Sequence, residues 1–281
     1  MPTTQTRPGI SDQDISDQDK ARLQASISGA VLDPTHPDYA SACQVWNGSI
    51  DRHPALIARC KTADDVVAAV SFAREHDLLV SVRGGGHGVA GYAVCDDGLV
   101  IDLSAMREVE VNADARRVRV GPGARWADVD QATQPHGLAT PGGEVSVTGV
   151  AGLTLGGGMG YLRRKHGLSC DNLIAAEVVT ADGRQVRASA QEHPDSRQRV
   201  HSSTMHPLPL LEGGRESCAI RYVFFRQSPY LNFPGYGEDQ SRLWPASHGE
   251  NFARLQAVKE RYDPSNLFRM NQNIPPRQAA A

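Results

Sequence analysis

The sequence predicts an α+β fold. Its apolar residues form short runs of strand length, and glycine-rich or Asn/Asp-containing turns separate several of these runs. A residue pattern typical of a helix start, Thr62-Ala63-Asp64-Asp65, precedes a stretch with apolar side chains along one face. Helical and strand patterns alternate without a regular βαβ repeat, which argues against a doubly wound parallel sheet.

The predicted elements follow from these patterns in chain order. The helix that starts after Thr62 continues to about His76, and Trp126 begins a second, shorter helix that ends near His136. A third helix has Phe252, Leu255, Val258 and Tyr262 on one face. The predicted strands cover residues 78–82, 99–102, 109–111, 118–120, 174–180 and 184–188, the last four as two hairpins.

The first chemical signal is the run Arg83-Gly84-Gly85-Gly86-His87-Gly88, directly after a predicted buried strand. Glycines allow backbone N–H groups to approach a ligand closely, and an arc of N–H groups suits an anion such as a pyrophosphate. The run matches neither the G-x-G-x-x-G fingerprint nor a P-loop. A plain flexible turn with a satisfied histidine is the alternative.

The second signal is the density of glycine over residues 141–160. Glycine is costly inside regular helices and strands, so this density indicates close backbone approach. A long flat cofactor lying across both glycine clusters would explain it, and a tight crossing of two loops without a ligand is the alternative. A cationic run, Arg163-Arg164-Lys165, follows and could balance a phosphate, with a solvated face as the alternative. For Cys170, which comes next, the alternative to a functional thiol is a small buried hydrophobe.

Together these segments resemble the berberine bridge enzyme-like flavoproteins, FAD-linked oxidases of the vanillyl-alcohol oxidase type. The resemblance rests on the first glycine run with Gly91-Tyr92, on residues 156–162, and on residues 164–172. It implies a PCMH-type FAD-binding domain of two α/β subdomains, with covalent bonds from His87 to the flavin 8α-methyl and from Cys170 to C6. The cations near Cys170 in sequence would favour its reactive thiolate. The implied cofactor-binding residues are Arg83, Gly84, Gly85, Gly86, His87, Gly88, Gly91, Gly142, Gly149, Gly152, Gly157, Gly160, Cys170, Asn271 and Asn273.

The resemblance also sets the domain organisation. We expect a tail over 1–40, of which the first 20 residues are polar and mobile, and the FAD-binding domain over 41–195. An irregular junction follows over 196–228, and a C-terminal segment over 229–276 returns to the flavin domain. Only 34 residues separate Asp195 from Tyr230, too few for a substrate domain with its own core. An internal deletion or a misread segment would explain this loss.

The implied activity is oxidation of an alcohol, a sugar or a similar C–H substrate, with dioxygen as acceptor. Tyr230 matches a tyrosine that in this family often lies beside the flavin, and is the candidate acid/base; a core aromatic is the alternative. A truncated, inactive flavin-binding remnant is the rival function. The spacing of Tyr161 and Lys165 also fits short-chain dehydrogenases, but the dinucleotide turn that they require is missing.

Composition limits the remaining classes. The 281 residues are 40% hydrophobic and 22% charged, with a net charge of −3, so neither nucleic acid nor an anionic membrane is an expected partner. No apolar run is long enough to span a membrane, and the N-terminus lacks a secretory pattern, so a cytoplasmic location is expected. The five cysteines form no C-x-x-C pair, which favours reduced thiols, and the histidines form no metal-binding motif.

Overall fold

Short helices and strands alternate along the chain, as the α+β prediction requires. The computed structural model describes residues 15–193, 245, 248–270 and 273–277. The helices are α1 Asp17–Ser26, α2 Tyr39–Cys43, α3 Ala63–Glu75, α4 Trp126–Thr133, α5 Val150–Leu155, α6 Arg163–His166 and α7 Phe252–Tyr262. The strands are β1 Ala30–Leu32, β2 Leu56–Arg59, β3 Val80–Arg83, β4 Leu99–Asp102, β5 Val109–Asn112, β6 Arg117–Val120, β7 Ala175–Val179 and β8 Gln185–Ser189.

A four-stranded sheet in the order β1-β2-β4-β3 forms the centre of the molecule. Strand β4 pairs in parallel with both β2 and β3, and β1 pairs antiparallel with β2. All four residues of β4 are buried, as expected for a central parallel strand that is covered on both faces. Because β3 and β4 are parallel, the glycine loop that follows β3 leaves the carboxyl edge of this sheet.

Alternate residues of the strands point into two apolar clusters, one on each face of the sheet. Leu56, Leu99 and Ile101 pack with the apolar face of α3 on one side. Ile57 and Val100 pack with residues of α2 and of the segment after the glycine loop on the other. The sheet therefore holds the loop after β3 on a base that is packed from both faces.

The predicted elements between residues 62 and 189 are confirmed within a few residues. The Thr62 hydroxyl accepts a hydrogen bond from the backbone N of Asp65 at 3.2 Å and starts α3, as the sequence pattern predicts. The hairpins β5–β6 and β7–β8 form in antiparallel register. The predicted second helix becomes α4 followed by a 3-10 turn at Gln134–His136. Besides α1 and β1, the elements that were not predicted are helix α2, strand β2, helix α5 inside the second glycine cluster and the short helix α6.

The structure corrects the predicted tail over residues 1–40 in its described part, because residues 17–32 form a helix and a strand of the main sheet, while residues 1–14 lie outside the described residues. The Ser16 hydroxyl accepts a hydrogen bond from the Asp19 backbone N and starts α1. Leu23 of α1 is 1% exposed and packs in the core with α3. The sequence signal is weak here since α1 has few apolar residues and β1 has only three residues.

The C-terminal segment packs onto the same core as the central sheet. Leu267, just after α7, is part of the apolar cluster that contains α3, and the backbone N of Ala181 donates to the Tyr262 carbonyl at 3.3 Å. The fully buried Lys259 pairs with Asp263 and donates to the Phe268 carbonyl at 2.7 Å. Loss of one partner from such a buried pair typically costs about 3–5 kcal/mol. The segment is thus held by specific polar contacts as well as by apolar packing.

Candidate functional site

The first glycine loop adopts a conformation that depends on its glycines. Gly86 has a φ of +64°, in the left-handed region that other residues rarely adopt. A Cβ added to Gly84 would lie 2.8 Å from the Pro122 carbonyl oxygen. The Gly86 carbonyl accepts a hydrogen bond from the backbone N of Trp46 at 3.0 Å. These contacts fix the backbone on which His87 is presented.

The two glycine clusters cross backbone to backbone. A Cβ added to Gly85 would lie 2.5 Å from the Gly149 Cα, and a Cβ added to Gly149 would lie 2.7 Å from the Gly85 N. No side chain fits at this crossing, so protein packing alone requires glycine at both positions. The loop crossing that the sequence left open is therefore present, whatever ligand lies beside it.

Several other predicted glycines are also explained by protein contacts. A Cβ on Gly142 would meet the Trp126 ring at 2.4 Å, and one on Gly160 would meet the Gly142 carbonyl oxygen at 1.8 Å. Gly91 has a φ of +72° and lies against Ile50. Gly157 has a φ of +117°. For these four positions a direct cofactor contact remains a prediction.

Gly88 and Gly152 differ from the glycines above. Both are exposed, and a Cβ added at either position would have no atom within 4 Å. Among the described residues, therefore, nothing sterically requires glycine at these two positions. One lies in each glycine cluster, which fits surfaces left bare for the close approach of a ligand.

A cavity of about 280 Å³ lies beside the glycine crossing. It is bounded by the first glycine loop, by the segment before Trp46, by the start of α4 and by the second glycine cluster. Two arginines give it a cationic wall, which suits an anionic group. The residues that line it are Gln44, Val45, Trp46, Arg83, Gly85, Gly86, His87, Arg125 and Val147.

His87 lies in the wall of this cavity with one ring nitrogen unused. Its imidazole stacks on the Trp46 indole, with ring centroids 4.5 Å apart and planes inclined by 20°. The buried Nε2 atom has no hydrogen-bond partner. Burial lowers the pKa of His87, and the positive charge of Arg125 lowers it further. The ring is therefore held neutral, and a neutral imidazole nitrogen has the free lone pair that a nucleophile needs.

The two arginines of the cavity are held in different ways. The Arg83 guanidinium donates to the Ala42 carbonyl, which ties the loop after β3 to the end of α2. Arg125 precedes α4, and its backbone N donates to the Asp128 carboxylate at 2.7 Å. Arg125 also forms an isolated bridge with Gly149, so the second glycine cluster fixes its backbone.

Cys170 is placed very differently from His87. It opens a 3-10 turn, is 0% exposed, and its backbone N donates to the Gly157 carbonyl at 3.0 Å. Burial raises the pKa of the Cys170 thiol to about 12, and the Asp171 carboxylate adds to the rise. Cys170 is not among the residues that line the His87 cavity.

The structure favours the alternatives for this segment, a solvated cationic run and a buried cysteine, over activation of Cys170 by nearby cations. Arg163, Arg164 and Lys165 are exposed, and none of them contributes to the shift in the Cys170 pKa. Arg163 instead lies 4.0 Å from the Glu144 carboxylate. These cations are close to Cys170 in sequence but do not act on its thiol, because the short helix α6 keeps their side chains in solvent.

The remaining predicted site residues divide between described and undescribed parts of the chain. The Asn273 Oδ1 atom is buried without a hydrogen-bond partner, which makes it available to a bound group. Tyr230 and Asn271 lie outside the described residues. Trp46 and Arg125 were missed as site residues, since their contacts with His87 join segments about 40 residues apart and leave no local pattern.

Two further findings on the described residues concern membrane-spanning helices and metal sites. Within residues 15–193 and the described C-terminal parts, no helix is long and apolar enough to cross a membrane. Over the same residues, no group of three His, Cys, Asp or Glu side chains is placed to hold a metal ion.

Family models match the chain in two places. An FAD binding domain model matches residues 54–189, which include both glycine clusters, His87 and Cys170. A model described as berberine and berberine like matches residues 230–275. These are the two regions in which the sequence resemblance was found.

Individual proteins support the same assignment. The (R)-6-hydroxynicotine oxidase of Paenarthrobacter nicotinovorans is 38% identical over 176 residues, which cover 63% of this chain and 38% of that protein. The crystal structure of 6-hydroxy-D-nicotine oxidase from Arthrobacter nicotinovorans aligns with a TM-score of 0.61 at 37% identity, over 62% of this chain and 39% of that one. A carbohydrate oxidase from Microdochium nivale aligns with a TM-score of 0.61 at 30% identity, over 65% and 39%.

The fold, the glycine loops and the first family model define an FAD-binding domain. With both family models matched in order, the chain belongs to the berberine bridge enzyme-like FAD-linked oxidoreductases. The chain spans just under two-fifths of the length of the relatives that it matches.

Proposed function

We propose that this chain binds FAD through a covalent bond from His87 and oxidises a C–H bond of a small alcohol, sugar or amine. One observation carries the proposal: His87 presents a buried, unpartnered Nε2 in the wall of a cavity beside the glycine crossing. A buried polar atom without a hydrogen-bond partner is unusual in a folded protein, which supports a bound ligand as its partner. The cationic wall and the bare surfaces of Gly88 and Gly152 support the same ligand.

The protein contributes binding, orientation and electrostatics. The glycine loops give the cofactor access to backbone N–H groups, and Arg83 and Arg125 offer positive charge to its anionic part. His87 and the two glycine clusters would hold FAD, which when bound would supply the redox chemistry, with dioxygen as the proposed oxidant both for attachment and for turnover.

Cys170 is proposed as the second attachment point, and it requires a local rearrangement first. A thiol must be exposed and deprotonated to attack, whereas here Cys170 is fully buried and its pKa is raised to about 12. The hydrogen bond from its backbone N to Gly157 ties it to the second glycine cluster. Movement of that cluster on FAD binding would expose the thiol, so we propose that attachment at His87 precedes attachment at Cys170.

The proposed substrate class follows from what the similar proteins are called. Their names include a hydroxynicotine oxidase, a chitooligosaccharide oxidase and a carbohydrate oxidase. We propose dioxygen as the acceptor and Tyr230 as the acid/base that acts on the substrate. A Tyr230→Phe variant is expected to keep its flavin and to lose substrate-dependent reduction of it.

An inactive flavin-binding protein is the second candidate, and the length of the chain favours it. Only 34 residues lie between Asp195 and Tyr230, and the chain spans about 38% of the hydroxynicotine oxidase. Such a protein would hold FAD with few residues available to enclose a substrate. Anaerobic addition of alcohols, sugars and hydroxynicotine separates the candidates, because only an active enzyme bleaches the flavin absorbance.

The experiment that tests covalent binding is acid denaturation followed by gel electrophoresis. The chain should retain flavin fluorescence, and the double variant His87→Ala/Cys170→Ala should lose it. A matched double variant, His53→Ala/Cys60→Ala, removes an exposed histidine and a fully buried cysteine that do not line the cavity, and should keep the fluorescence. Fluorescent protein in the His87/Cys170 double variant would show that the attachment site is wrong.

A further inference from the structure

We propose that Trp46 is a positioning residue that fixes the plane of the His87 ring for flavin attachment. This inference rests on the proposed attachment at His87 and adds a residue from outside the glycine motifs. The indole stacks on the imidazole at 4.5 Å and 20°, while Nε2 remains free in the cavity wall. Rotation of the imidazole about its Cβ–Cγ bond would break the stacking on the indole, so the ring plane and the Nε2 lone pair that lies in it are held in one orientation.

Residues 46 and 47 form hydrogen bonds to the loop on both sides of His87. The backbone N of Trp46 donates to the Gly86 carbonyl at 3.0 Å, and the Asn47 side-chain amide donates to the Val89 carbonyl at 2.7 Å. These carbonyls belong to the residue before His87 and the second residue after it. The ring stacking is therefore part of a three-point contact, in which backbone and side chain together set the orientation of the imidazole.

Trp46 adds little to the core. Its side chain is 58% exposed, and it is absent from both apolar clusters of the sheet. A large exposed ring that contacts one functional side chain is more simply explained by that contact than by stability. Removal of the indole leaves no internal cavity, so effects on His87 can be separated from effects on folding.

The charges around the ring act in the same direction. Among the described residues, Arg83 and Arg125 are the charged side chains that line the cavity with His87, and no carboxylate of this part of the chain lines it. Arg83 is engaged by the Ala42 carbonyl, and Arg125 disfavours a positive charge on the ring. The neutral form is the one that can attack, so attachment should persist towards lower pH while Trp46 covers the ring.

The test measures the rate of attachment at His87 alone. Full-length chain carrying Cys170→Ala is produced without flavin, FAD is added, and acid-stable fluorescence is followed over time at several pH values. Trp46→Ala and Trp46→Leu should slow attachment by roughly tenfold or more, because the ring orientation is lost. Trp46→Phe restores a flat ring and should keep the rate within about threefold of the parent. Val178→Ala, which removes an exposed apolar side chain on β7 outside the glycine clusters, should leave the rate unchanged.

A second readout does not depend on flavin. In the apo protein, the NMR signals of the His87 imidazole should titrate at a higher pH in Trp46→Ala than in the parent, because water then solvates the ring. The pH profile of attachment should move in the same direction. Arg125→Gln should also raise the pKa of His87, whereas Arg119→Gln, an exposed arginine on β6, should not.

The outcomes separate this inference from the proposed function. If Trp46→Leu attaches flavin as fast as Trp46→Phe and its His87 titration is unchanged, Trp46 does not position the ring, although attachment at His87 stands. If His87→Ala in the Cys170→Ala background acquires acid-stable flavin at the parent rate, the proposed attachment itself is wrong.

Discussion

The first glycine loop and the Cys170 segment present their reactive side chains in opposite ways. His87 lies in a cavity wall with a bare Nε2 and a lowered pKa, so it is in the protonation state that attack requires. Cys170 is fully buried with a thiol pKa of about 12, so it is in the unreactive state. Both residues belong to the matched FAD binding domain, yet only the histidine is accessible and in the reactive protonation state before a ligand binds.

The difference has a clear structural source. The loop after β3 leaves a sheet packed on both faces and is held by Trp46, Asn47 and the crossing with Gly149. The Cys170 segment is a 3-10 turn whose backbone N–H groups at Ser169 and Cys170 donate to the Gly158 and Gly157 carbonyls. The side chains of a site built on the sheet are positioned before the ligand binds. The side chains of a site on a turn next to glycines can change position when the ligand binds.

The largest expected effect is on the reactivity of Cys170. With a thiol pKa of about 12 in place of 9.0, the thiolate fraction at pH 8 falls about a thousandfold, and alkylation should slow at least as much relative to the unfolded chain. Mass spectrometry of iodoacetamide-treated peptides measures this residue by residue. Buried Cys60, whose pKa is also about 12, is the protected reference. Rapid labelling of Cys170 in the apo protein would contradict the contrast with His87.

The same shift has a consequence for stability. The unfolded thiol releases its proton near pH 9, while the folded state keeps it to about pH 12. Between about pH 9 and pH 12, deprotonation of this thiol therefore stabilises the unfolded state but not the folded state. As a result, the free energy of unfolding should fall as the pH rises above about 9. Cys170→Ala should flatten this fall, which denaturant titrations at pH 8 and pH 10 can measure.

The second effect concerns the loop crossing. Gly85→Ala places a Cβ 2.5 Å from the backbone of Gly149, and neither backbone can move aside without breaking the loop. We expect a loss of about 3 kcal/mol in the free energy of unfolding, measured by urea denaturation of the apo protein. The matched variant Gly88→Ala, three residues later in open space, should change stability by less than about 0.5 kcal/mol. Equal losses in the two variants would show that the crossing does not hold the loop.

The third effect separates the two attachment points directly. Because His87 is prepared and Cys170 is not, His87→Ala should reduce acid-stable flavin by about tenfold. Cys170→Ala should reduce it by less than about twofold, since the first bond needs no rearrangement. Quantitative in-gel fluorescence of equal protein amounts gives the comparison. The reverse order would mean that FAD binding opens the cysteine segment before the histidine reacts.

Sequence reasoning found the parts of the site that are continuous along the chain. The helix start at Thr62, the hairpins and both glycine clusters have local patterns, and the structure confirms these elements close to their predicted bounds. The environment of Cys170 was left open between an activated thiol and a buried hydrophobe, and in the structure burial determines its pKa. The sequence cannot show burial at a single cysteine, since the covering atoms come from other segments.

Contacts between segments that are distant in sequence could not be predicted either. Trp46 stacks on a residue 41 positions later, and Gly85 meets a residue 64 positions later. Neither contact follows a helical or strand period, so no local pattern predicts it. The glycine density did indicate close backbone approach, but only the structure separates glycines needed for the crossing from those left bare.

That separation gives the smallest expected effect. Gly152→Ala lies in α5 with no atom within 4 Å of its new Cβ, so stability should be unchanged or rise by up to about 1 kcal/mol from helix propensity. If the bare surface exists for the cofactor, the same methyl group should weaken FAD binding by about 1 kcal/mol, roughly a fivefold rise in Kd. Fluorescence titration in a His87→Ala/Cys170→Ala background measures this without covalent trapping. A variant that gains stability and keeps its affinity for FAD would show that the cofactor does not touch this glycine, and would leave the His87 loop as the main determinant of binding.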